Sequence, residues 1–334
     1  MFSSEPSPAD SKNATYLALL TLLVCLLLVA TTIWQYEQKR LSDVRLQAYA
    51  AASDRTRELD SQLRWTLSAV YGLEALVRQA RGPVPQFEQI AAHMLPHYPG
   101  ASVLIQAPEG VISHVAPLKG NEAALGLNLL QDPVMREETD LARRTSQLTL
   151  AGPLPLRQGG VGLVARLPIF LDDGHHGKTF WGLVNVVIKL PEALGKAHPS
   201  ILSNQGYRYK LWRIRPETGA RQIIAESDAE ELISPVQSAM SVPNGAWTLG
   251  VVPTQGWQNH QGLLIQALAG ILLSLLVAQL VRLQLRLRAH KNHLEYLVHT
   301  RTLDIYESRM QLAVTLEAIP DPLFEMGIDG HFYG

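Results

Sequence analysis

Residues 161–170, VGLVARLPIF, and residues 179–190, TFWGLVNVVIKL, decide the fold. Both runs are rich in β-branched and aromatic residues, and the turn Asp172-Asp173-Gly174 lies between them, so they read as a strand pair. In the second run, Phe180, Gly182, Val184, Val186 and Ile188 alternate with Trp181, Leu183, Asn185 and Val187. Neither face is polar. A strand apolar on both faces is covered on both sides, here by a long helix on one side and by shorter helices or a pocket on the other. Arg166 sits inside the first run, where a guanidinium needs a paired acceptor because a buried, unpaired charge is costly. It reads as an anchor for an anion.

The covering helix lies upstream. From Glu37 to Arg81 there is no Pro and a single Gly, Gly72, while Leu59, Leu63, Leu67, Val70, Leu73 and Val77 recur at spacings of four and three, one apolar stripe. The stripe ends at Gly82-Pro83-Val84-Pro85, a helix stop. Phe87 to Met94 reads as a short helix, and the runs 102–106 and 111–116, joined by Pro108-Glu109-Gly110, as a hairpin. Asp132-Pro133 opens a charged helix to about Arg144, and residues 147–150 form a further strand. Past Ser200, two more hairpins are expected, 208–215 with 222–225 and 235–242 with 246–252. The fold class is therefore α+β, a long helix with two antiparallel-sheet units.

Two apolar runs bracket this region. Residues 16–33, YLALLTLLVCLLLVATTI, carry no charge, and the uncharged stretch extends from Asn13 to Tyr36. That length suits a transmembrane helix rather than a signal peptide, whose apolar core is shorter, and Trp34 and Tyr36 follow as interfacial aromatics. Residues 262–281, GLLIQALAGILLSLLVAQLV, form the second span, and Arg282, Arg286, Arg288 and Lys291 follow at once. The basic cluster places the C-terminal side, and with two spans the N-terminal side too, in the cytoplasm. The expected plan is a cytoplasmic tail over 1–15, a span over 16–34, an exterior region over 35–261, a second span over 262–281 and cytoplasmic sequence to residue 334. Within the exterior region, 35–82 is the long helix, 83–198 the membrane-distal unit and 199–258 the membrane-proximal unit.

Composition narrows the function. The 334 residues hold Lys+Arg 29 against Asp+Glu 30, a net charge of −1, so there is no basic field for nucleic acid. One cysteine, Cys25, excludes an intramolecular disulfide framework and a thiolate metal cluster. No phosphate loop, nucleophile elbow, HExxH or kinase or cyclase motif occurs, so the chain as given is not expected to be an enzyme and no cofactor is expected. His93 and His97 are four apart with Pro96 between them, and Asp172, Asp173, His175 and His176 crowd a loop tip. Both lack the ligand set of a zinc site, and no metal is expected.

The ordered segments Asn121-Glu122-Ala123-Ala124-Leu125-Gly126, Asp132-Pro133, Leu150-Ala151-Gly152-Pro153, Gln158-Gly159-Gly160-Val161-Gly162 and Arg166-Leu167-Pro168-Ile169-Phe170 resemble the CHASE family of extracellular sensory domains. Phe180-Trp181-Gly182 and Gly245-Ala246-Trp247 fit its bacterial form, and together the motifs cover about residues 65 to 255. The resemblance implies a long helix leading into two PAS-like units, a small-molecule pocket in the distal one, and signalling to a cytoplasmic kinase or nucleotide cyclase. Plant members bind adenine-type hormones. Arg166 stands here where the plant pocket has a threonine, which points to an acidic or otherwise polar ligand. Pocket candidates are Leu125, Gly126, Thr149, Leu156, Gly160, Arg166 and Trp181, although glycines also serve tight turns and Trp181 also suits a core.

In the tail, Leu280, Leu287 and Leu294 are spaced by seven, and Val298, Ile305 and Leu312 continue the seam, so residues 282–314 are expected to dimerise as a parallel coiled coil. Lys291, Arg301 and Ser308 interrupt it; an ordinary solvated helix is the plainer alternative. Residues 315–334 look like the opening helix and first hairpin of a PAS domain, stopping in mid-fold, so the output module is expected to lie outside this sequence. The expected function is a two-pass inner-membrane receptor, with a periplasmic sensor, lipid contact at its spans and homodimerisation through the coil. Cyclic-di-GMP turnover is the favoured output, a histidine kinase the second, and a non-signalling adhesion or assembly protein the reading from another class.

Overall fold

The computed structural model describes residues 8–157, 159–172, 177–191, 195, 198–215, 218–317, 325–326 and 332–333, with side chains over 15–315 of these. Gln158, the 173–176 loop tip with Asp173, His175 and His176, Pro216, Glu217 and most of the expected PAS opening lie outside the described residues. In chain order the helices are α1 (Pro8–Leu67), α2 (Ala69–Ala80), α3 (Phe87–Met94), α4 (Arg136–Thr145), α5 (Ile201–Asn204) and α6 (His260–Glu317). The strands are β1 (Val103–Pro108), β2 (His114–Ala116), β3 (Thr149–Pro155), β4 (Val161–Asp172), β5 (Lys178–Leu190), β6 (Tyr207–Ile214), β7 (Arg221–Glu226), β8 (Val236–Val242), β9 (Gly245–Pro253), β10 (Glu325–Met326) and β11 (Phe332–Tyr333). The class is α+β, with antiparallel sheets.

Two compact units result: Lys39–Asn259, and the segments on either side of it, Met1–Gln38 and His260–Gly334. In the latter, two helices are long and apolar enough to cross a membrane, and only 6% and 11% of their most apolar windows are buried, whereas a soluble core helix would be mostly buried. Small residues set their contact with each other. Ser274 and Ala278 are buried on α6, and a Cβ on Gly270 would come within 2.2 Å of Val29 Cγ1 on α1. Close backbone approach through small residues four apart is how helices pack in lipid. Further along α6, Leu280, Leu287, Leu294, Val298, Ile305 and Leu312 are all exposed.

In the Lys39–Asn259 unit, the long helix expected over 35–82 is interrupted once. At Ser68 the hydroxyl donates to the Trp65 carbonyl, 2.6 Å, and the Ser68 amide to Arg64 and Trp65 carbonyls, which separates α1 from α2. The predicted stripe is buried on both pieces: Leu59, Leu63 and Leu67, then Val70, Leu73 and Val77. They share one core with the odd-numbered side chains of β4, Leu163, Ala165, Leu167 and Ile169, and with Val184, Val186 and Ile188 of β5.

The first sheet has the order β2-β1-β5-β4-β3 and the second β7-β6-β9-β8. Both runs that opened the reading are central in the first sheet, as their two-faced apolarity requires. β3 starts at Thr149 and continues to Pro155, later than the expected 147–150. It is an edge strand, where Pro153 and Pro155 need not donate to a ladder. The second sheet belongs to the same core, through Tyr209, Leu211, Leu249 and Val251.

A second core fills the far face of the first sheet, from Val103, Ile105, Val164, Leu183 and Val187 to Ile112, Leu129 and Met135 in the segment between β1 and α4. Asp132 organises that segment. Its Oδ1 accepts from the Val134 and Met135 amides and its carbonyl from the Arg136 amide, so it caps a turn that runs into α4. The sequence reading put the helix cap at Asp132 and its first residue at Pro133; the regular helix instead begins at Arg136 with Met135 at its N-cap, because Asp132 closes a separate turn ahead of it.

Candidate functional site

Directly opposed residues of an antiparallel sheet point to the same face. The register sets Thr149 opposite Arg166, Arg166 opposite Asn185, Asn185 opposite Ile105 and Ile105 opposite Val115, one row across all five strands. At its centre is a cavity of about 30 Å³, lined by Arg166 and Asn185 together with Ile105, Leu129, Met135, Leu156 and others. Its roof is the irregular segment after β2, held because the Ile112 amide donates to the Leu127 carbonyl and the Leu129 amide to Gly110.

Arg166 has no solvent exposure, and none of Nε, Nη1 and Nη2 has a hydrogen-bond partner among the described residues. Asn185 is equally buried, with both amide atoms unpartnered. The Glu138 carboxylate lies 4.0 Å from Arg166 Nη1, beyond hydrogen-bonding distance. Burial pushes the Arg166 guanidinium down to about 10, against the opposing influence of the Glu138 and Asp132 charges. It remains a cation at neutral pH.

Neither carboxylate hydrogen-bonds it, and both are bonded to other arginines. Glu138 Oε1 accepts 2.7 Å from Arg213 Nη2, and Arg213 also donates to the Leu150 carbonyl and Gln222 Oε1. Asp132 Oδ2 accepts 2.6 Å from Arg157. Burial works to raise the Asp132 carboxyl, but the Arg157 hydrogen bond and charge and the Val134 and Met135 amides override it and hold the group below the usual range.

Of the sequence-predicted pocket residues, Arg166 and Leu156 line the cavity. Thr149 is buried beside Arg166 in the ladder, its hydroxyl 3.4 Å from the Glu138 carbonyl. Leu125 is 42% exposed and belongs to the outer surface. Gly126 and Gly160 are turn residues at φ +78° and +80° with open space around them. Trp181 packs into the helix-side core, on the opposite face of the sheet. The cause is a bulge: Ile169 pairs with Gly182 but Phe170 with Phe180, so the alternation shifts by one at Trp181. Sequence reading passed over Asn185, whose polarity inside an apolar strand was the available sign, and the roof residues Leu127, Leu129 and Met135, which lie in aperiodic chain.

Other features are less specific. A groove of about 690 Å³ runs past Tyr71, Glu74, Phe170 and Lys178, but its Arg78 is already bonded to Glu74 and to the Phe170 carbonyl. Among the described residues no cluster of three or more His, Cys, Asp or Glu side chains is placed to hold a metal, and His93 Nδ1 contacts the Gln89 carbonyl.

The arrangement is that of a sensor input domain bracketed by two apolar helices: a sheet with a core on each face, one of them hollowed around a buried cation. The CHASE domain profile matches residues 46–219, just over half of the sequence, and the chain belongs to the CHASE domain family. No curated protein matches it. Among solved structures, it is similar to an extracellular ligand binding receptor from Desulfohalobium retbaense at 14% identity and a TM-score of 0.49, over 60% of this chain and 39% of that one. The alignment therefore spans well under half of that receptor's length. The LuxQ periplasmic domain of Vibrio cholerae is similar at 12% identity and a TM-score of 0.33, over 63% of this chain and 99% of that one.

Proposed function

We propose that the chain is the input half of a two-pass membrane receptor that senses a small acidic or polar extracytoplasmic ligand in the Arg166 cavity. The observation that carries this reading is the fully buried Arg166 guanidinium without a hydrogen-bond partner in a family of sensor domains. The strand order β2-β1-β5-β4-β3 supports reading the first sheet as a PAS-like unit and the second, smaller sheet as its membrane-proximal companion. Domain limits follow the plan expected from the sequence, with both termini cytoplasmic on the strength of the basic cluster after residue 281.

Ligand binding biases the two spans, and it does so only through different affinities for two arrangements of the receptor. The exposed heptad leucines of α6 support a parallel coiled-coil dimer as the relay, and the antiparallel β10–β11 pair supports a PAS opening beyond it. The output lies outside this chain; cyclic-di-GMP turnover is the favoured reaction and a histidine kinase the second.

The test is thermal stabilisation of the full chain in detergent micelles against a panel of periplasmic metabolites, repeated with Arg166→Ala. A ligand that raises the midpoint of the wild type and not of a folded Arg166→Ala variant supports the reading. A variant that retains the full response, or a wild type indifferent to the whole panel, refutes it. For the relay, Lys291→Ile and Arg301→Leu tighten the seam and are expected to lock a downstream output, to which an adhesion or assembly protein would be indifferent.

A further inference from the structure

Charge, shape and lining together restrict what the cavity accepts. Three arginines and two carboxylates meet here: Arg157 pairs with Asp132 at 2.6 Å, Arg213 with Glu138 at 2.7 Å, and Arg166 has no hydrogen-bond partner among the described residues, only the second oxygen of that same Glu138 at 4.0 Å. One negative charge balances the group. A second would itself be buried without a partner, which costs as much as the first gains.

The guanidinium presents a planar fork of donors that matches a carboxylate bidentately, and the Asn185 amide stands directly opposite in the ladder with donor and acceptor both uncommitted. Apart from Arg157, whose guanidinium is paired with Asp132, the rest of the lining is apolar, including Ile105, Leu129, Met135, Leu156 and Val187. It offers no side-chain hydroxyl or second amide to a polar far end of a ligand. The volume of about 30 Å³ is room for about two waters. An acid of two or three carbons replaces them with small side-chain adjustments, whereas a purine or sugar would require the roof to leave.

We propose that the Arg166 cavity binds a short-chain aliphatic monocarboxylate of the size of acetate or propionate. This rests on the receptor reading above and specifies the ligand class of the same site. The carboxylate takes the Arg166 fork and the Asn185 amide, and the alkyl end lies against the aliphatic wall. Recognition is by charge at Arg166, with the Asn185 amide beside it, and by a wall in which the one other polar side chain among the described lining residues, Arg157, is already paired with Asp132.

The experiment is isothermal titration of the full chain in detergent micelles with acetate, propionate and hexanoate, with acetamide and propionamide as neutral isosteres, and with succinate and chloride. Acetate or propionate is expected to bind most tightly, with the matching amide weaker by about 10- to 100-fold, the loss of a charge-assisted hydrogen-bond pair. Arg166→Gln is expected to lower the affinity for the acid by a similar factor. If that variant does not fold, the comparison of acid with amide on the wild type decides alone.

Equal affinity for amide and acid, tighter binding of succinate or hexanoate, or chloride as strong as propionate overturns the monocarboxylate class. If such binding is still lost in Arg166→Gln, the receptor reading stands. No heat with either short acid at millimolar concentration also overturns the proposal; the metabolite panel above then decides separately whether the receptor reading falls with it.

Discussion

Glu138 on α4 and Arg213 on β6 form a 2.7 Å ion pair that joins the segment covering the first sheet to the second sheet. Both side chains are nearly buried, and further bonds among the described residues cross the same seam: Arg213 Nη1 donates to the Leu150 carbonyl, Gln222 Nε2 to the Pro153 carbonyl and the Leu150 amide to Asn244 Oδ1. The other oxygen of Glu138 faces Arg166 at 4.0 Å. One carboxylate therefore borders the cavity and holds the sheets together. An anion placed on Arg166 alters the field at Glu138 and so the strength of the link to Arg213.

Glu138→Gln keeps the shape and removes the charge, leaving the buried Arg213 guanidinium without its carboxylate and Arg166 without its nearest opposing charge. The loss of stability is expected to be about 3 kcal/mol, the range for breaking a buried pair by neutralising one partner. Chemical denaturation of the full chain, followed by tryptophan fluorescence, measures it. A midpoint unchanged from the wild type would show that the pair does not tie the sheets.

Arg166→Met has the opposite sign. It removes a buried cation that no described side chain or carbonyl bonds, so the ligand-free protein is expected to gain about 1 kcal/mol or more while losing its response to anions. Destabilisation on the scale of the Glu138 variant would mean that Arg166 is a structural ion-pair partner instead.

Gly182→Ala tests the bulge. A Cβ there would lie 2.3 Å from the Ala107 carbonyl oxygen, at a φ of +150° that side chains rarely adopt. Because the obstacle is backbone of the neighbouring strand, the cost is expected to reach about 2 kcal/mol or more. Gly126→Ala, at a positive φ in open space, is expected to cost about 1 kcal/mol, and the ratio of the two in parallel melts checks the assignment.

The pH response has two limbs. Burial depresses the Arg166 guanidinium to about 10, so it is charged below pH about 10 and anion affinity is expected to be flat around neutrality and to fall above that value. Folding is disfavoured by that buried charge at lower pH, and the burden eases as pH rises above about 10. Asp132 behaves conversely. Its folded value lies below the ordinary 3.8, so it contributes stability that is present above 3.8 and is lost as pH falls through the depressed folded value. Asp132→Asn is expected to flatten the acid limb of a melting-temperature profile and leave the alkaline limb in place.

Much of the fold was legible because its signals are periodic. The α1–α2 stripe, the two-faced β4 and β5 runs and the limits of α3 follow from spacing alone, since a helix or a central strand buries residues at fixed intervals. The site was legible only at its charge. Arg166 stands out in an apolar strand whatever surrounds it, whereas Trp181 suits a pocket or a core in sequence and lies in the helix-side core because one extra residue at a bulge reverses the side chains beyond it. Leu127, Leu129 and Met135 enter the cavity from a segment without period, where position depends on backbone bonds to Gly110 and Ile112 that leave no mark in the sequence.

The division of β5 has an evolutionary consequence. Val184, Val186 and Ile188 seat the helix, while Leu183, Asn185 and Val187 face the hollow side of the sheet. Substitutions at the second set can re-specify what the cavity accepts without touching the surface on which the helix rests. A lineage can thus change its stimulus by drift at a few alternate positions of one strand and inherit the rest of the machinery intact.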